Sequence, residues 1–351
     1  MEHFPDRYIR QTLFAPLGAE GQARLGAARV LIVGCGALGT HIAEHLARAG
    51  VGFLRLVDRD VVEPSNLHRQ SCFTEEDARA EEPKAAALAA RLSAVNSEVA
   101  FEPVASEFNP QSALDLTSSV DLIVDGTDNG PARLLLNDVS LERGLPWIYS
   151  GVVGEVGHAQ LFVPGLGPCL RCRLRDLPLP GELPTCDTAG VIGPAVGAIS
   201  GFAAAIALRF CAQEKGSQCD GAARALAGRL VRIEPWSLRA AITLVPPDAE
   251  CPACAGGSRE FLHGAAACAG ETTVLCGRSA VQVRPGGAPS LDLSALARRL
   301  RPVGAVDERR VFLRFRAPEA TITVFADGRA IVEGTTDPVR ARAIYDRYVG
   351  R

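Results

Sequence analysis

A glycine-rich turn near the start of the chain limits most strongly how the chain can fold. Gly34, Gly36 and Gly39 have the spacing G-x-G-x-x-G, directly after an apolar segment at residues 29–34 and at the start of a helical pattern. Glycine at these positions permits a tight turn and lets a ligand approach the backbone closely. Together with the apolar segment at 53–58, the turn predicts a βαβ unit whose helix start can hold phosphate groups.

The alternation of strand and helix patterns continues beyond this unit. Strands are predicted at 99–104 and 121–125, and helices at 83–95 and 131–143. This order is typical of a Rossmann-like, doubly wound, mostly parallel α/β sheet. After Pro146, further strands are predicted at 147–149, 155–163, 230–234 and 238–245, on either side of an uncharged helical segment. We expect them to extend the same sheet.

A chain of 351 residues is longer than a domain with a single hydrophobic core usually is, so two domains are expected. Residues 1–255 form the predicted large domain, a Gly/Ala-rich linker follows at 256–271, and a small α+β domain occupies 272–351. For the small domain we predict the order βαβββα, with one interrupted strand at 274–283 and a hairpin through Asp327 and Gly328. It contains no rhodanese active-site loop that we recognise, and its role stays open.

Composition and charge exclude several classes of function. Hydrophobic residues make up 47% and charged residues 22%, as in globular proteins. The net charge of -3 gives no electrostatic reason to expect nucleic acid as a partner. Residues 1–11 are charged and lack the apolar core of a signal peptide, so a cytoplasmic location is expected. The uncharged segment 189–208 is long enough to span a bilayer, but it is rich in Ala and Gly and contains Pro194, so we interpret it as a buried helix of a soluble core.

The glycine turn alone does not identify the ligand. Asp58 ends the second strand, where an acidic residue binds ribose hydroxyls in dinucleotide-binding proteins. On these residues alone, an NAD-dependent oxidoreductase is the simpler interpretation.

An ordered set of polar motifs follows and changes this interpretation. In chain order the motifs are Arg7-Tyr-Ile-Arg10-Gln11, Asp58-Arg-Asp60, Ser65-Asn66-Leu-His-Arg69-Gln70, Pro83-Lys84 and Asp125-Gly-Thr-Asp128-Asn129. The set closely resembles the ThiF/MoeB/HesA family, bacterial relatives of ubiquitin-activating enzymes, over about residues 7–254. In that family ATP occupies the glycine loop, and the enzyme adenylates the C-terminal glycine carboxylate of a small sulfur-carrier or ubiquitin-like protein.

The resemblance implies a role for each motif. Cations are needed because a carboxylate must attack the α-phosphate of a polyanion. The implied ATP-binding residues are Gly34, Gly36, Gly39, Asp58 (ribose), Asp60, Asn66, Arg69 (phosphates) and Lys84 (phosphates). Asp128 would bind or position Mg²⁺. Its place also suits a turn or N-cap residue before the next helix, and it can serve both roles. Arg10 would reach the γ-phosphate from the partner subunit of a homodimer.

Four of the eleven cysteines form two CxxC pairs. Cys169 and Cys172 make the first pair, and Cys251 and Cys254 make the second. Two such pairs suit tetrahedral Zn²⁺ bound by four thiolates, and a redox CxxC is the alternative. We predict a structural zinc site.

Cys186 lies between the two pairs in a segment rich in Pro and Gly. The resemblance places it at the crossover-loop cysteine, which in some family members forms a covalent bond to the carrier. A thiolate can displace AMP from an acyl-adenylate, so Cys186 is a candidate nucleophile. A small, partly buried thiol without catalytic function is the alternative. Cys276 in the small domain has the same two interpretations.

The combined prediction is a homodimeric adenylyltransferase that uses Mg-ATP to activate a carrier ending in Gly-Gly, ahead of sulfur transfer. A cysteine desulfurase or another sulfur donor would complete the reaction. Two alternatives stay open: an NAD-dependent oxidoreductase, and a non-catalytic scaffold that keeps the nucleotide-binding fold. Some family members adenylate peptides or a tRNA base, and the general motifs do not distinguish these substrates from a carrier.

Overall fold

The structure is a computed structural model that describes residues 7–175, 189–213, 221–264, 272–275, 279–284, 291–309 and 311–350. The chain divides into two compact units, Met1–His263 and Gly264–Arg351. Each unit is described by itself below.

An eight-stranded sheet forms the centre of the first unit. Its strands are Arg29–Val33 (β1), Phe53–Val57 (β2), Ala100–Val104 (β3), Leu122–Asp125 (β4), Trp147–Val153 (β5), Val156–Phe162 (β6), Arg229–Glu234 (β7) and Arg239–Leu244 (β8). The strand order is β3-β2-β1-β4-β5-β6-β7-β8. Strands β1 to β5 pair in parallel, and β6, β7 and β8 are added antiparallel. We call these groups the parallel half and the antiparallel half; the predicted α/β sheet and its extension are confirmed.

Helices cover both faces of the parallel half. The helices are Ile9–Thr12 (α1), Gly18–Ala27 (α2), Ala37–Arg48 (α3), Glu75–Ala80 (α4), Lys84–Val95 (α5), Ala113–Leu116 (α6), Gly130–Arg143 (α7), Leu170–Arg173 (α8), Gly193–Cys211 (α9) and Ala222–Leu226 (α10). Strand β1 alternates between the two layers: Val30 and Ile32 pack in the core with α3, α5 and α9, whereas Leu31 and Val33 pack in the core with α7. Burial on both faces explains why the strands read as continuous apolar runs.

The uncharged segment forms α9, which packs on α3, β5 and β6. Among the described residues it is the one helix long and apolar enough to cross a membrane by length and composition alone, and half of its most apolar window is buried inside the protein. Gly157 of β6 lies directly beneath it, since a Cβ there would approach Ile199 to 2.8 Å. The same features are found in core helices of soluble proteins.

The stretch predicted as the start of a linker packs on the first unit instead. Leu262 is buried in the core that contains Leu136 of α7, and the Phe261 N–H donates to the Asp138 carboxylate at 2.8 Å. The first unit therefore extends to His263. The Gly/Ala-rich composition around 255–257 suggested a linker, but two apolar residues farther along anchor the chain.

The second unit is a six-stranded antiparallel sheet with helices packed on one face. Its elements are Thr272–Leu275 (β9), Ala280–Val283 (β10), Leu293–Leu300 (α11), Ala305–Glu308 (β11), Phe312–Arg316 (β12), Thr321–Phe325 (β13), Ala330–Glu333 (β14) and Pro338–Tyr348 (α12). The sheet order is β11-β12-β13-β14-β10-β9. The predicted hairpin through Gly328 is confirmed, with a φ of 81° at that glycine.

The predicted order βαβββα was wrong. Thr272–Leu275 and Ala280–Val283 form two paired antiparallel strands instead of one interrupted strand, and four strands instead of three lie between the helices. The short strand β11 escaped prediction because all of its residues except Val306 are exposed, so it carries no alternating apolar pattern.

Candidate functional site

The glycine turn lies at the carboxyl edge of the parallel half, packed against the loop that follows β4. Gly34 has a φ of 90°, and a Cβ at this position would lie 2.7 Å from the Gly126 carbonyl. A Cβ at Gly39 would lie 1.9 Å from the Gly34 carbonyl oxygen. Glycine is therefore required at both positions by backbone packing, as the close helix–strand approach of this motif demands.

Gly36 differs from the other two glycines. It is the N-cap of α3, and the nearest neighbour of a Cβ there would be the Gln70 side-chain amide at 3.8 Å. Gln70 is buried, and its Oε1 has no hydrogen-bond partner among the described residues. The open backbone beside a helix N-terminus fits a phosphate group, and the unused amide oxygen can accept a hydrogen bond from a hydroxyl or amino group of a nucleotide.

Acidic residues surround one buried lysine beside this turn. Lys84, the first residue of α5, has its Nζ 3.6 Å from an Asp60 carboxylate oxygen. Burial opposes its charge, but the carboxylates of Asp60, Asp58, Asp128 and Glu63 raise the pKa of Lys84 above its ordinary value. The structure thus brings together four of the predicted site residues, with a permanent cation at their centre.

Asp58 accepts hydrogen bonds from backbone N–H groups in and near the glycine turn. Its two carboxylate oxygens accept the Cys35 N–H and the Asp60 N–H, each at 2.7 Å. Burial raises the pKa of Asp58, while nearby Lys84 opposes the rise. Each oxygen keeps a second lone pair, so ribose hydroxyls can still donate to this carboxylate.

Asp128 is exposed and does not cap helix α7. The cap is Asn129, whose Oδ1 accepts the Ala132 N–H at 2.8 Å. The alternative interpretation of Asp128 as a helix cap was therefore wrong. Its carboxylate lies close enough to Lys84 to contribute to the raised pKa, and carboxylates are preferred Mg²⁺ ligands.

Asn66 and Arg69 belong to the short 3-10 turn Pro64–Asn66 and the residues after it. The Asn66 Oδ1 accepts the Glu63 N–H at 3.1 Å, which closes a capping box, and the side chain is buried. Arg69 donates from Nη1 to the Ser65 carbonyl at 2.8 Å. The Asn66 Nδ2 donates to the Ser65 hydroxyl at 3.4 Å, and Arg69 Nη1 also lies 2.7 Å from His68 Nε2. The second Asn66 amide hydrogen and the Nε and Nη2 donors of Arg69 remain available to a ligand.

A partly buried arginine that the motifs did not predict organises the loop after β4. Arg133 donates from Nε to Asp125 at 3.0 Å, and from Nη2 to the Thr127 carbonyl at 2.7 Å and the Ser150 carbonyl at 3.0 Å. Burial disfavours the charged form of Arg133, but the Asp125 carboxylate outweighs burial and raises the pKa of Arg133 above its ordinary value. Arg133 thus fixes the backbone that carries Asp128. An arginine one turn into the helix that follows a strand ending in Asp was the available sequence signal.

Arg10 lies near the amino ends of the parallel strands, whereas the glycine turn lies at their carboxyl ends. Its neighbour Gln11 donates to the Ala49 carbonyl at 2.9 Å, and the Tyr8 ring lies against Gly50. Both contacts are at the amino end of β2, whereas the glycine turn follows the carboxyl end of β1. The five residues of β2 span about 16 Å. Arg10 and the glycine turn of the same chain are therefore not brought together.

The two CxxC pairs converge beside α7. The Sγ atoms of the four cysteines lie within 4.8 Å of one another, with Cys169–Cys251 and Cys172–Cys254 each at 3.5 Å. Four sulfurs bound to zinc at about 2.3 Å would be about 3.8 Å apart. The Leu170 N–H donates to buried Asn137 of α7 at 2.8 Å. This cluster fits a tetrahedral metal ion and connects the segments that follow β6 and β8.

Two predicted cysteines cannot be placed. Cys186 and Cys276 lie outside the described residues. The chain is described again from Ala189, and the Gly154 N–H donates to the Gly190 carbonyl at 2.8 Å. Gly190 therefore lies at the turn between β5 and β6.

Comparison with known proteins identifies relatives of the whole arrangement. The model of the ThiF family matches residues 8–253. The sulfur carrier protein ThiS adenylyltransferase of Bacillus subtilis is 40% identical over 98% of this chain and 99% of its own length. The SAMP-activating enzyme E1 of Haloferax volcanii is 36% identical over 74% of this chain and 92% of its own length. Among solved structures, Escherichia coli MccB with MccA-N7isoASN superposes with a TM-score of 0.60 at 23% identity, over 72% of this chain and 75% of that one, which supports the fold.

Proposed function

This chain belongs to the ThiF family, and we propose that it uses ATP to adenylate the C-terminal carboxylate of a small sulfur-carrier protein. The single observation that carries the proposal is the position of Lys84. A buried cation held among Asp58, Asp60 and Asp128 lies beside an open glycine turn, where the phosphates of ATP would be placed. The chain is an adenylyltransferase.

The reaction joins the carrier carboxylate to the α-phosphorus of ATP and breaks the bond to the β-phosphate, so pyrophosphate leaves. Lys84 and Arg69 neutralise the charge that would otherwise repel the carboxylate. Magnesium, held by Asp128, would supply further positive charge to the phosphates. Gly36 gives the phosphates access to the α3 N-terminus, and Asp58 accepts from the ribose.

A second copy of the chain completes the site in this proposal. Arg10 is exposed and lies at the edge of the sheet opposite its own glycine turn. We propose that it contacts the γ-phosphate bound by the partner subunit of a homodimer. Arg10→Ala and Lys84→Ala should each lose most of the activity alone, about a hundredfold for Lys84→Ala, and a mixture of the two should regain activity through mixed dimers. A mixture that stays inactive after subunit exchange would contradict this arrangement.

Cys186 has the proposed role of accepting the activated carrier. Its thiolate would attack the acyl carbon, a thioester would form, and AMP would leave; a persulfide on the same cysteine would give an acyl disulfide. The persulfide sulfur would come from a cysteine desulfurase or another donor. Cys186→Ser should keep adenylation and lose the thiol-sensitive adduct seen by intact-mass spectrometry. An unchanged adduct would place the acyl group elsewhere.

Zinc at Cys169, Cys172, Cys251 and Cys254 has a structural role in this proposal, because all four positions are occupied by protein sulfurs and none is left for substrate. A cytoplasmic location is also proposed, from the charged first eleven residues.

Exchange of labelled pyrophosphate into ATP tests the function. B. subtilis ThiS, the carrier named for one relative, is a suitable probe. Exchange should require both the enzyme and ThiS with its intact C-terminus. Reduction of NAD by a hydroxy substrate without any exchange would instead support the oxidoreductase alternative, and ATP binding without turnover would support the scaffold.

A further inference from the structure

The loop that carries Arg69 holds this side chain by one end of its guanidinium group. Arg69 Nη1 donates to the Ser65 carbonyl at 2.8 Å and lies 2.7 Å from His68 Nε2. A guanidinium group stays protonated and offers no acceptor, so the Nε2 lone pair of His68 must accept this bond, and the ring hydrogen is on Nδ1. The two contacts together use both hydrogens of Nη1.

The opposite edge of the guanidinium group, formed by Nε and Nη2, is left for a ligand. The N–H groups on this edge lie side by side and point in one direction, which is the geometry that binds two oxygens of a phosphate at once. Within the described part of the chain, the hydrogen bonds of the Arg69 side chain are both made by Nη1. The contacts at Nη1 therefore determine which edge Arg69 presents to a nucleotide.

The backbone around His68 is fixed from two sides. The Arg69 and Gln70 N–H groups both donate to the Asn66 carbonyl, at 3.1 and 3.0 Å. On the other side, Gly193 at the start of α9 packs against the same turn, since a Cβ there would lie 3.2 Å from the His68 carbonyl oxygen. The His68 ring is exposed, but the backbone that carries it is held, so the ring can keep its distance from the arginine.

We propose that His68 is a positioning residue for Arg69: by accepting from Nη1, it turns the Nε–Nη2 edge toward the phosphates of ATP. This inference rests on the proposed function, in which Arg69 neutralises phosphate charge. His68 contacts no phosphate in this arrangement and acts only through the arginine. Without the contact, the long Arg69 side chain would sample more rotamers, and ordering it when ATP binds would cost affinity.

The same contact would be inhibitory if Arg69 had to leave it before reaching ATP. The geometry argues against this, because a phosphate needs only the Nε–Nη2 edge, and both contacts at Nη1 can persist in the complex. The two cases differ in sign. Loss of a positioning contact weakens ATP binding, whereas loss of an inhibitory contact strengthens it.

Calorimetric titration of the full chain with Mg-ATP, without a carrier, tests the proposal. His68→Leu removes the acceptor and should weaken ATP binding about fivefold, a modest loss because the contact is exposed. His68→Gln, whose amide oxygen reaches the place of Nε2, should stay within about twofold of the wild type, whereas the shorter His68→Asn should behave like His68→Leu. His45→Leu, at an exposed histidine in the last turn of α3, is the matched control and should bind ATP as the wild type does.

Removal of Arg69 shows whether His68 acts through it. In the Arg69→Ala background, His68→Leu should change ATP binding less than about twofold, because the contact is already absent. An equal loss in both backgrounds, an unchanged affinity in His68→Leu alone, or tighter binding by that variant would overturn the proposal. Failure of the proposed function would appear separately, as ATP binding by the wild type without any ThiS-dependent pyrophosphate exchange.

Discussion

The parallel and antiparallel halves of the first unit's sheet differ in what they expose. Strand β1 is buried on both faces, and the polar side chains of the parallel half gather at its carboxyl edge around Lys84. Strand β8 is exposed along its whole length. The turn between β7 and β8 carries two exposed apolar residues, Trp236 and Leu238. A fixed, charged pocket suits chemistry on phosphates, whereas an exposed apolar edge suits reversible binding of a protein. The parallel half therefore holds the candidate catalytic residues, whereas the antiparallel half presents apolar side chains to solvent.

The largest expected effect tests whether the antiparallel half depends on a metal ion. Cys169 follows β6 and Cys251 follows β8, so zinc would connect the segments after two of its strands. We expect one zinc per chain, and loss of it in Cys251→Ser with destabilisation of about 5 kcal/mol. Elemental analysis and denaturant unfolding measure both quantities. Cys211→Ser, at a partly buried cysteine outside the cluster, is the control. A metal-free preparation with wild-type stability would refute the site.

The next effect distinguishes two glycines of the parallel half. Gly39→Ala should lower the free energy of unfolding by about 4 kcal/mol, because its Cβ would lie 1.9 Å from a carbonyl oxygen. Gly36→Ala should change stability by less than about 1 kcal/mol, yet weaken ATP binding at least tenfold, because its methyl group would occupy the space beside the helix N-terminus. Calorimetric unfolding and ATP titration check the pair. Equal stability of the two variants would be inconsistent with the packing described.

Removal of the buried cation should affect catalysis more than stability. Lys84→Ala should slow pyrophosphate exchange by about a hundredfold or more, which corresponds to about 3 kcal/mol of barrier. Arg79→Ala, at an exposed arginine of α4 paired with Glu75, is the control and should keep the wild-type rate. The KM for ThiS should stay within about twofold if the two halves act separately. Wild-type exchange by Lys84→Ala would remove the main support for the phosphate assignment.

The smallest effect is a pH dependence that belongs to the antiparallel half. Burial, with Arg173 and Arg232, lowers the pKa of His158 on β6 to about 4. Between pH about 6.5 and about 4 the unfolded chain binds a proton there that the folded chain does not, so stability falls as the pH falls through this window. His158→Gln should lose less stability over the same range than the wild type. Urea unfolding at several pH values measures the difference, with His263→Gln as an exposed control; parallel curves would contradict the shift.

The sequence predicted the parallel half almost completely, because its central strands β1 and β4 are short apolar runs followed by glycine or ending in an acidic residue. The motifs also predicted which residues meet, and Asp58, Asp60, Lys84 and Asp128 are indeed neighbours. Arg133 was missed, since its importance depends on three acceptors that are separated in sequence. The exposure of β8 was also missed. The sequence pattern predicted a strand there, but only the structure shows that none of the described residues covers it.

The second unit was predicted less well for a similar reason. Its edge strand β11 has a mostly exposed sequence, and β9 and β10 pair as two separate strands where the sequence pattern predicted one. The cysteine spacing, in contrast, predicted the four-sulfur cluster correctly across nearly eighty residues. The spacing of metal ligands in the sequence is a strong signal because the coordination geometry of the ion restricts it. The position of an exposed strand is determined instead by the strands beside it.

Direct detection of the adenylated carrier tests the central claim most simply. After incubation of ThiS, Mg-ATP and the enzyme, intact-mass spectrometry should show ThiS carrying one AMP, and ThiS without its final two glycines should stay unmodified. Cys186→Ser should still form this product, whereas Lys84→Ala should form about a hundredth as much in the same time. Absence of any AMP-bearing ThiS with the wild-type enzyme, at ThiS concentrations well above those of the enzyme, would contradict the account.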